Sequence, residues 1–442
     1  MNKTIVFVVG ALALALIAWV TAPTPRTPEA LTNLGEPFFP DFDDPNQATS
    51  LEVIEFDETT ATARPFKVEN NGGLWTIPSH FDYPADGEEQ LATTAAGVIG
   101  IERGEFRSNN VADHEALGVI DPLDENATNL QGRGKRVTLK QGETVLADFI
   151  IGNQPADSPG YRFVRIPGQK RVYSAKMDIE VSTRFEDWIE KDLLQVSRNE
   201  IAEVVIDDYS IDETTGVLQE RDRLTLLNAD GTWSLDGMPE GRELDTAKQN
   251  DLLGALEDLR IVDVRPKPAG LTATLSRTEA GSITQTDVLS LQTKGFYFTR
   301  DGGLVSNEGE VRVATESGIQ YILRFGEIVS EALGTSQEDG VDSGENRYLF
   351  ITADFDPTRT PAPDQPTDRA FESKAEAEWT DADRENSRLA DAYQTWEDQA
   401  NETREKADLL NTRFAGWYYV IPAEAFDKLR VTRGELIAAV DG

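Results

Sequence analysis

The chain of 442 residues contains no cysteine. Disulfides, thiolate nucleophiles, iron–sulfur ligation and lipoprotein acylation are therefore excluded, while the redox compartment stays open. Histidine is almost as scarce. His80 and His114 are the two in the chain, each among polar neighbours and neither with a second histidine three or four residues on. That argues against a zinc site. Positive charge is short as well, with 42 Lys+Arg against 79 Asp+Glu and a formal net charge of −37. Such a surface repels phosphate backbones and anionic headgroups, so nucleic acid is not an expected partner. There is no Gly-x-Ser-x-Gly elbow and no Ser-x-x-Lys, so two common nucleophile signatures are missing.

What is present begins with Thr4–Val20, an uncharged, apolar stretch preceded by Lys3. Seventeen helical residues span about 25 Å, close to a bilayer core. Ala22 followed by Pro23 makes a poor cleavage site, and Trp19 sits where an interfacial aromatic would. Residues 1–22 are read as a membrane anchor or signal segment, with the retained anchor preferred. The bulk of the chain then lies outside the membrane, in the periplasm of a single-pass protein. Residues 23–48 hold six prolines and form an extended tether; Asp41, Asp43 and Asp44 there are read as loop acids, not metal ligands.

Beyond the tether the pattern is short strands, and it recurs. Val137–Gly152 reads as two strands around a turn at Gln141-Gly142, and Val311–Gly326 repeats it. Ile201–Ile206 stands for Leu51–Phe56, and Leu224–Asn228 for Phe66–Asn70. Trp75 and Trp233 follow Gly-rich turns 158 residues apart, and Asp86 and Asp245, each placed to cap a Leu-rich helix, lie 159 apart. Both tryptophans are read as core anchors. The expected fold is therefore α+β: two related β-rich modules, 49–196 and 197–442, each a sheet with a packed helix. The second module carries a helical insertion at 356–415. Within it Asp368–Phe414 has no Gly or Pro, and a stripe through Ala375, Trp379, Ala382, Leu389, Tyr393, Trp396, Ala400, Ala407, Leu410 and Phe414 predicts one long helix or a bent pair, coiled-coil-like in spacing, whose stripe either folds back on its own sheet or meets a partner.

Three local patterns invite chemistry and fall short of it. Gly132-Arg133-Gly134-Lys135 hints at a phosphate loop, but it lacks a glycine and leads into a strand; Arg133, Lys135 and Arg136 are read as a salt-bridged edge. Asp381-Ala382-Asp383-Arg384-Glu385 opens like a calcium loop, yet Asn386 replaces the glycine and Ala392 the last glutamate. In so acidic a chain a pair of facing carboxylates is open, without one pair standing out. No catalytic, cofactor-binding or metal-ligating residue is singled out, and no cofactor is expected.

The combination resembles the DUF4340 family, a domain of unknown function. The residues that carry the resemblance are Trp75, Asp86, Leu117-Gly118 with Pro122, and Ile151-Gly152. In the second half they are Trp233, Asp245-Thr246-Ala247, and Pro266-Lys267-Pro268 before Gly270-Leu271. The resemblance implies an extracytoplasmic accessory protein, in company with ABC-transporter subunits of the gliding-motility auxiliary type, and brings no catalytic residues. The long helical insertion departs from the family pattern. The expected function is a membrane-anchored binding or scaffold protein, accessory to an ABC-type transporter or envelope complex, with the 368–414 helix as the partner surface. The alternatives are an envelope hydrolase acting on glycans through paired carboxylates, and a calcium-dependent adhesion module.

Overall fold

The structure, a computed structural model, describes residues 33–177, 179, 181–212, 217–276, 283–300, 302–329 and 345–439. The apolar stretch Thr4–Val20 lies outside the described residues. Among those described, no helix is long and apolar enough to cross a membrane. The architecture is mixed α/β with sheets dominant. Two compact units interleave along the sequence: the described residues up to Asn70 join Glu88–Val181, and Asn71–Gly87 join Ser182 onward.

In the first unit β1 (Ser50–Asp57) and β2 (Thr62–Asn71) pair antiparallel, with Val53 opposite Phe66. Leu51, Val53, Phe66 and Val68 are buried, as alternation on a one-sided sheet requires. Helix α1 (Glu88–Ile99) buries Leu91, Ala95 and Val98, and it opens at Glu88, a residue later than a cap at Asp86 predicts. The strands β3 (Phe106–Ser108), β4 (Lys135–Gln141), β5 (Thr144–Ile151), β6 (Tyr161–Arg165) and β7 (Val172–Lys176) complete an antiparallel order β2-β1-β4-β5-β6-β7-β3. The β4–β5 hairpin turns at Gly142, whose φ of 56° suits glycine.

The second unit contains the short hairpin Leu74–Ile77 with Tyr83–Pro84. Its sheet is built from β8 (Ile201–Asp212), β9 (Val217–Ala229), β10 (Thr232–Leu235), β11 (Asp263–Pro266), β12 (Glu310–Thr315), β13 (Ile319–Ile328), β14 (Arg347–Phe355) and β15 (Trp417–Ile421). Their order is β10-β9-β8-β12-β13-β14-β15-β11, every pair described being antiparallel. Helix α2 (Thr246–Glu257) is capped as expected, the Asp245 carboxylate accepting from the Ala247 and Lys248 amides at 3.0 Å. Helices α3 (Ala269–Leu275) and α4 (Gln285–Gln292) follow β11 and lead to a small hairpin, Phe296–Phe298 with Leu304–Ser306.

Trp75 and Trp233 are half-buried, not the core anchors the sequence suggested. The largest fully buried side chain is Trp188, whose indole N–H donates to the Ser182 carbonyl at 3.1 Å. Truncating Trp188 to Ala should cost about 3–5 kcal/mol. Trp75→Ala and Trp233→Ala should each cost roughly 1–2 kcal/mol, in proportion to the smaller area they bury. Urea titration of the three variants checks this ranking, and equal losses would contradict it.

The long helix is shorter than the 368–414 expected. Two single 3-10 turns, Ala370–Ser373 and Glu376–Glu378, precede α5 (Asp381–Ala415), a helix of 35 residues running about 52 Å. The reason is local: Thr380 and Asp383 form a capping box, the Thr380 amide and hydroxyl donating to the Asp383 carboxylate at 2.8 and 2.7 Å. Trp379 therefore lies before the helix, edge-on to Phe371. Along α5 the residues Ala400, Ala407, Leu410 and Phe414 are buried, and the helix lies along β14. Two asparagines of α5, Asn386 in line with the stripe and Asn411 beside it, are buried too. Asn386 accepts from the Thr367 amide at 2.9 Å, and the Asn411 amide brackets the backbone of Ala353, accepting its N–H at 2.9 Å and donating to its carbonyl. Trp396 donates to the Thr360 carbonyl at 2.7 Å, which draws the proline-rich run from Pro357 to Pro366 onto the helix. The C-terminal half of the stripe thus packs on its own unit, and the charged face of α5 turns outward together with Leu409, which is 71% exposed.

Asp383 also receives Lys374 at 2.7 and 2.9 Å. The lysine first, then the Thr380 donors, holds its carboxyl down at about 2. A carboxyl lowered in the folded state contributes its stabilisation above the unfolded value and loses it as pH falls through the folded one. The protection of the amides in the first turns of α5, relative to their unfolded exchange rates at the same pH, should therefore fall between about pH 4 and pH 2. Asp383→Asn should show fast exchange already at neutral pH; unchanged protection in that variant would remove the cap from the account.

Candidate functional site

His114 is buried with Nε2 2.9 Å from the Lys170 carbonyl, and so is committed to holding a loop. His80 is buried as well, stacked on Phe185 at 4.7 Å, with Nδ1 3.1 Å from Ser79 Oγ and Nε2 4.0 Å from Asp263. Among the described residues no group of three or more His, Asp or Glu is arranged to hold a metal ion.

The basic island is absorbed by structure. Arg133 donates to the carbonyls of Asp121, Pro122, Ala127 and Asn129 at 2.9–3.2 Å and lies 4.3 Å from the Phe56 ring centroid, closing its own loop. Arg136 pairs with Asp148 at 2.7 Å and Asp121 at 3.2 Å, and Lys135 with Glu55 at 2.6 Å. Each side chain already has its acceptors in the fold. The loop's geometry serves folding.

One pair of carboxylates does face each other. Asp207 on β8 and Glu310 on β12 are directly opposite in the sheet register. Burial raises the Asp207 carboxyl above its usual range, against the pull of Arg312. Yet Arg312 reaches Glu310 at 2.6 Å and Asp207 at 3.2 Å, and Arg324 reaches Glu310 at 3.1 Å. Tyr209, pushed up to about 12 mainly by burial, donates to Glu310 at 3.3 Å. With guanidiniums this close, the acidic pair ties β8 to β12. Sequence could not single them out, because the pairing spans about a hundred residues. A groove of about 300 Å³ elsewhere in the unit is lined by Arg184, Glu186, Lys191, Asp258, Arg260 and Ile261. Its charges are mixed, and Arg184 is tied to Glu186 at 2.8 Å and Asp187 at 3.2 Å.

The most unusual chemistry lies where α3, α4 and the C-terminal end of α5 meet β14 and β15. Leu271, Leu291, Phe296, Phe350 and Tyr418 form a buried cluster there. Into it the Pro266-Lys267-Pro268 corner places a lysine that is only 6% exposed. Its backbone amide donates to Gly416 at 2.8 Å and its ammonium to the Phe414 carbonyl at 3.0 Å, at the negative end of the α5 dipole. The same ammonium sits 3.8 Å from the Phe350 ring centroid and 5.5 Å from that of Tyr418. Burial drives its proton affinity well below the ordinary lysine range.

A second ammonium, that of the half-buried Lys294, lies 4.9 Å from the Tyr418 centroid and 5.7 Å from that of Tyr348. Desolvation first, then Arg265, lowers it as well. The Tyr418 hydroxyl is 3.1 Å from Ser290 Oγ and is pushed up to about 12 by burial. In the sequence Pro266-Lys267-Pro268 stands out only as a family feature, and no motif marks Lys294. The flanking prolines, which hold Lys267 at a corner, were the one signal available.

The family model described as Domain of unknown function (DUF4340) matches residues 75–274, so the resemblance read from the sequence holds over that stretch. The match begins at Trp75, takes in the Lys267 corner, and ends ahead of α4, Lys294 and the long helix. No curated protein and no solved structure matches the chain.

Proposed function

We propose that this is a membrane-anchored, extracytoplasmic binding and scaffold protein, built by duplication of one module and accessory to an ABC-type transporter or envelope complex. The duplication is supported by topology. Seven strands in the order β2-β1-β4-β5-β6-β7-β3 correspond to β9-β8-β12-β13-β14-β15-β11. Val53 lies opposite Phe66 and Val137, and Ile206 lies opposite Leu224 and Val311. Those registers set Ile206 against Val53, three residues from Phe56, its counterpart in the sequence pattern. A finer correspondence lies at the strand ends. Gly118 and Gly295 are both left-handed, with φ of 68° and 82°, and the amides of Asn153 and Glu327 donate at 2.9 Å to Leu117 and Lys294. A Cβ on Gly152 would collide with the Leu117 carbonyl, and one on Gly326 with that of Lys294.

The observation that carries the binding role is the one-sided docking of α5. Its inner stripe is covered toward the C-terminal end, while Asp391, Glu397, Asp398, Glu402 and Glu405 stand exposed along a ridge of about 21 Å. Such a ridge suits a basic partner surface and adds little to the unit's own stability. Affinity purification from detergent-solubilised membranes tests the reading. Wild-type protein should bring down membrane subunits, and the combined Glu397→Lys, Asp398→Lys, Glu402→Lys and Glu405→Lys variant should lose them at unchanged melting temperature. Subunits retained by the variant would discard the helix as the contact, and none with wild type would discard the accessory role.

A further inference from the structure

We propose that the second module binds a carboxylate or phosphate oxyanion at Lys294, against the rings of Tyr348 and Tyr418 and beside the Ser290 hydroxyl. This site rests in part on the duplication proposed above. Leu117, the counterpart of Lys294, packs with Phe163 against Val119, Ile150 and Val172, an apolar cluster. A leucine satisfies that place, so the fold does not call for an ammonium there. The second module nevertheless has Lys294 at this position, with Lys267 directed at the same Tyr418 ring.

Neither ammonium has a carboxylate partner among the described residues, in a chain with 79 Asp+Glu. The neighbouring cation Arg265 does have one, Asp263, at 2.5 Å. A partly desolvated cation without a counter-ion is destabilising unless something anionic completes it. Lys267 cannot meet a ligand, being 6% exposed and bonded to Phe414. It contributes field and positioning. Lys294, Ser290 and Tyr348 are half-buried and reachable from solvent. An ammonium with three donors and nearby hydroxyls match the acceptor oxygens of a carboxylate or phosphate, and the rings suit an apolar body attached to it. Since the net charge repels anions at long range, recognition here depends on short-range contact.

The test is acylation footprinting of the full chain in detergent. Pulses of acetic anhydride are read by mass spectrometry with and without inorganic phosphate or benzoate, against chloride at equal ionic strength. At a probe concentration about ten times its dissociation constant, the Lys294 rate should fall roughly tenfold, with Lys248 and Lys406 unchanged. Protection by phosphate alone or benzoate alone identifies which oxyanion the site takes, and protection by both makes it general. No protection by either, or equal protection by chloride, overturns the site. Lys294→Leu separates this from the duplication reading. It should keep or raise the melting temperature, as leucine does at 117; a drop of more than a few degrees would overturn the equivalence while leaving the footprint result to stand.

Discussion

Excising Phe371–Leu410 and closing the gap with a short linker should leave the second unit without a cooperative melt. The excision removes Phe371, Ala400, Ala407 and Leu410, all buried, and uncovers the part of β14 along which α5 lies. Large apolar side chains contribute roughly 1.5–3 kcal/mol each when buried. With the newly exposed sheet surface the loss approaches the whole net stability of a domain, about 5–15 kcal/mol. It also frees Asn411 from the helix that aims its amide at both backbone groups of Ala353, and a buried backbone pair left unsatisfied costs more than the bonds themselves gained. Calorimetry on the excised chain checks this. An unchanged second transition would make α5 an appendage that contributes to binding alone.

A chain that begins at Ser182 should likewise fail to fold, although it contains every strand of the second sheet. It lacks Asn71–Gly87, the segment that belongs to this unit while lying earlier in the chain. Ile77 and Tyr83 are buried there, and so is His80. Tyr83 lies edge-on to Phe185 at 5.2 Å and to Trp417 at 5.0 Å, so its loss leaves two rings half-packed. Without His80, Asp263 stays fully buried and loses the imidazole 4.0 Å away. The expected product is a compact state that binds a hydrophobic dye and lacks near-ultraviolet dichroism. Fusing residues 71–87 to its N-terminus through a flexible linker should restore folding. A cooperative melt for the bare fragment would show that the hairpin is dispensable.

Much of the β framework was readable without coordinates. Gln141-Gly142 between two alternating runs specified a hairpin, and Asp245 specified a helix start. These depend on turn chemistry and side-chain alternation within a dozen or so residues, or on the recurrence of one pattern. Even the start of α5 was legible in principle. Thr380-x-x-Asp383 is a capping box, and it outweighed the absence of glycine and proline that suggested a start at Asp368.

Tertiary structure alone decided the rest. Whether a tryptophan is core or rim depends on what covers it: Trp188 is enclosed, whereas Trp75 and Trp233, each after an inviting turn, are not. Asp207 faces Glu310 across a strand pair, and Lys267 meets the ring of Phe350 and the carbonyl of Phe414, nearly 150 residues away. Composition shows a surplus of acid, and it cannot show which cations are left without an acid beside them. That is a property of three-dimensional neighbours, because Coulomb and desolvation energies act over a few ångströms of space while sequence records only distance along the chain.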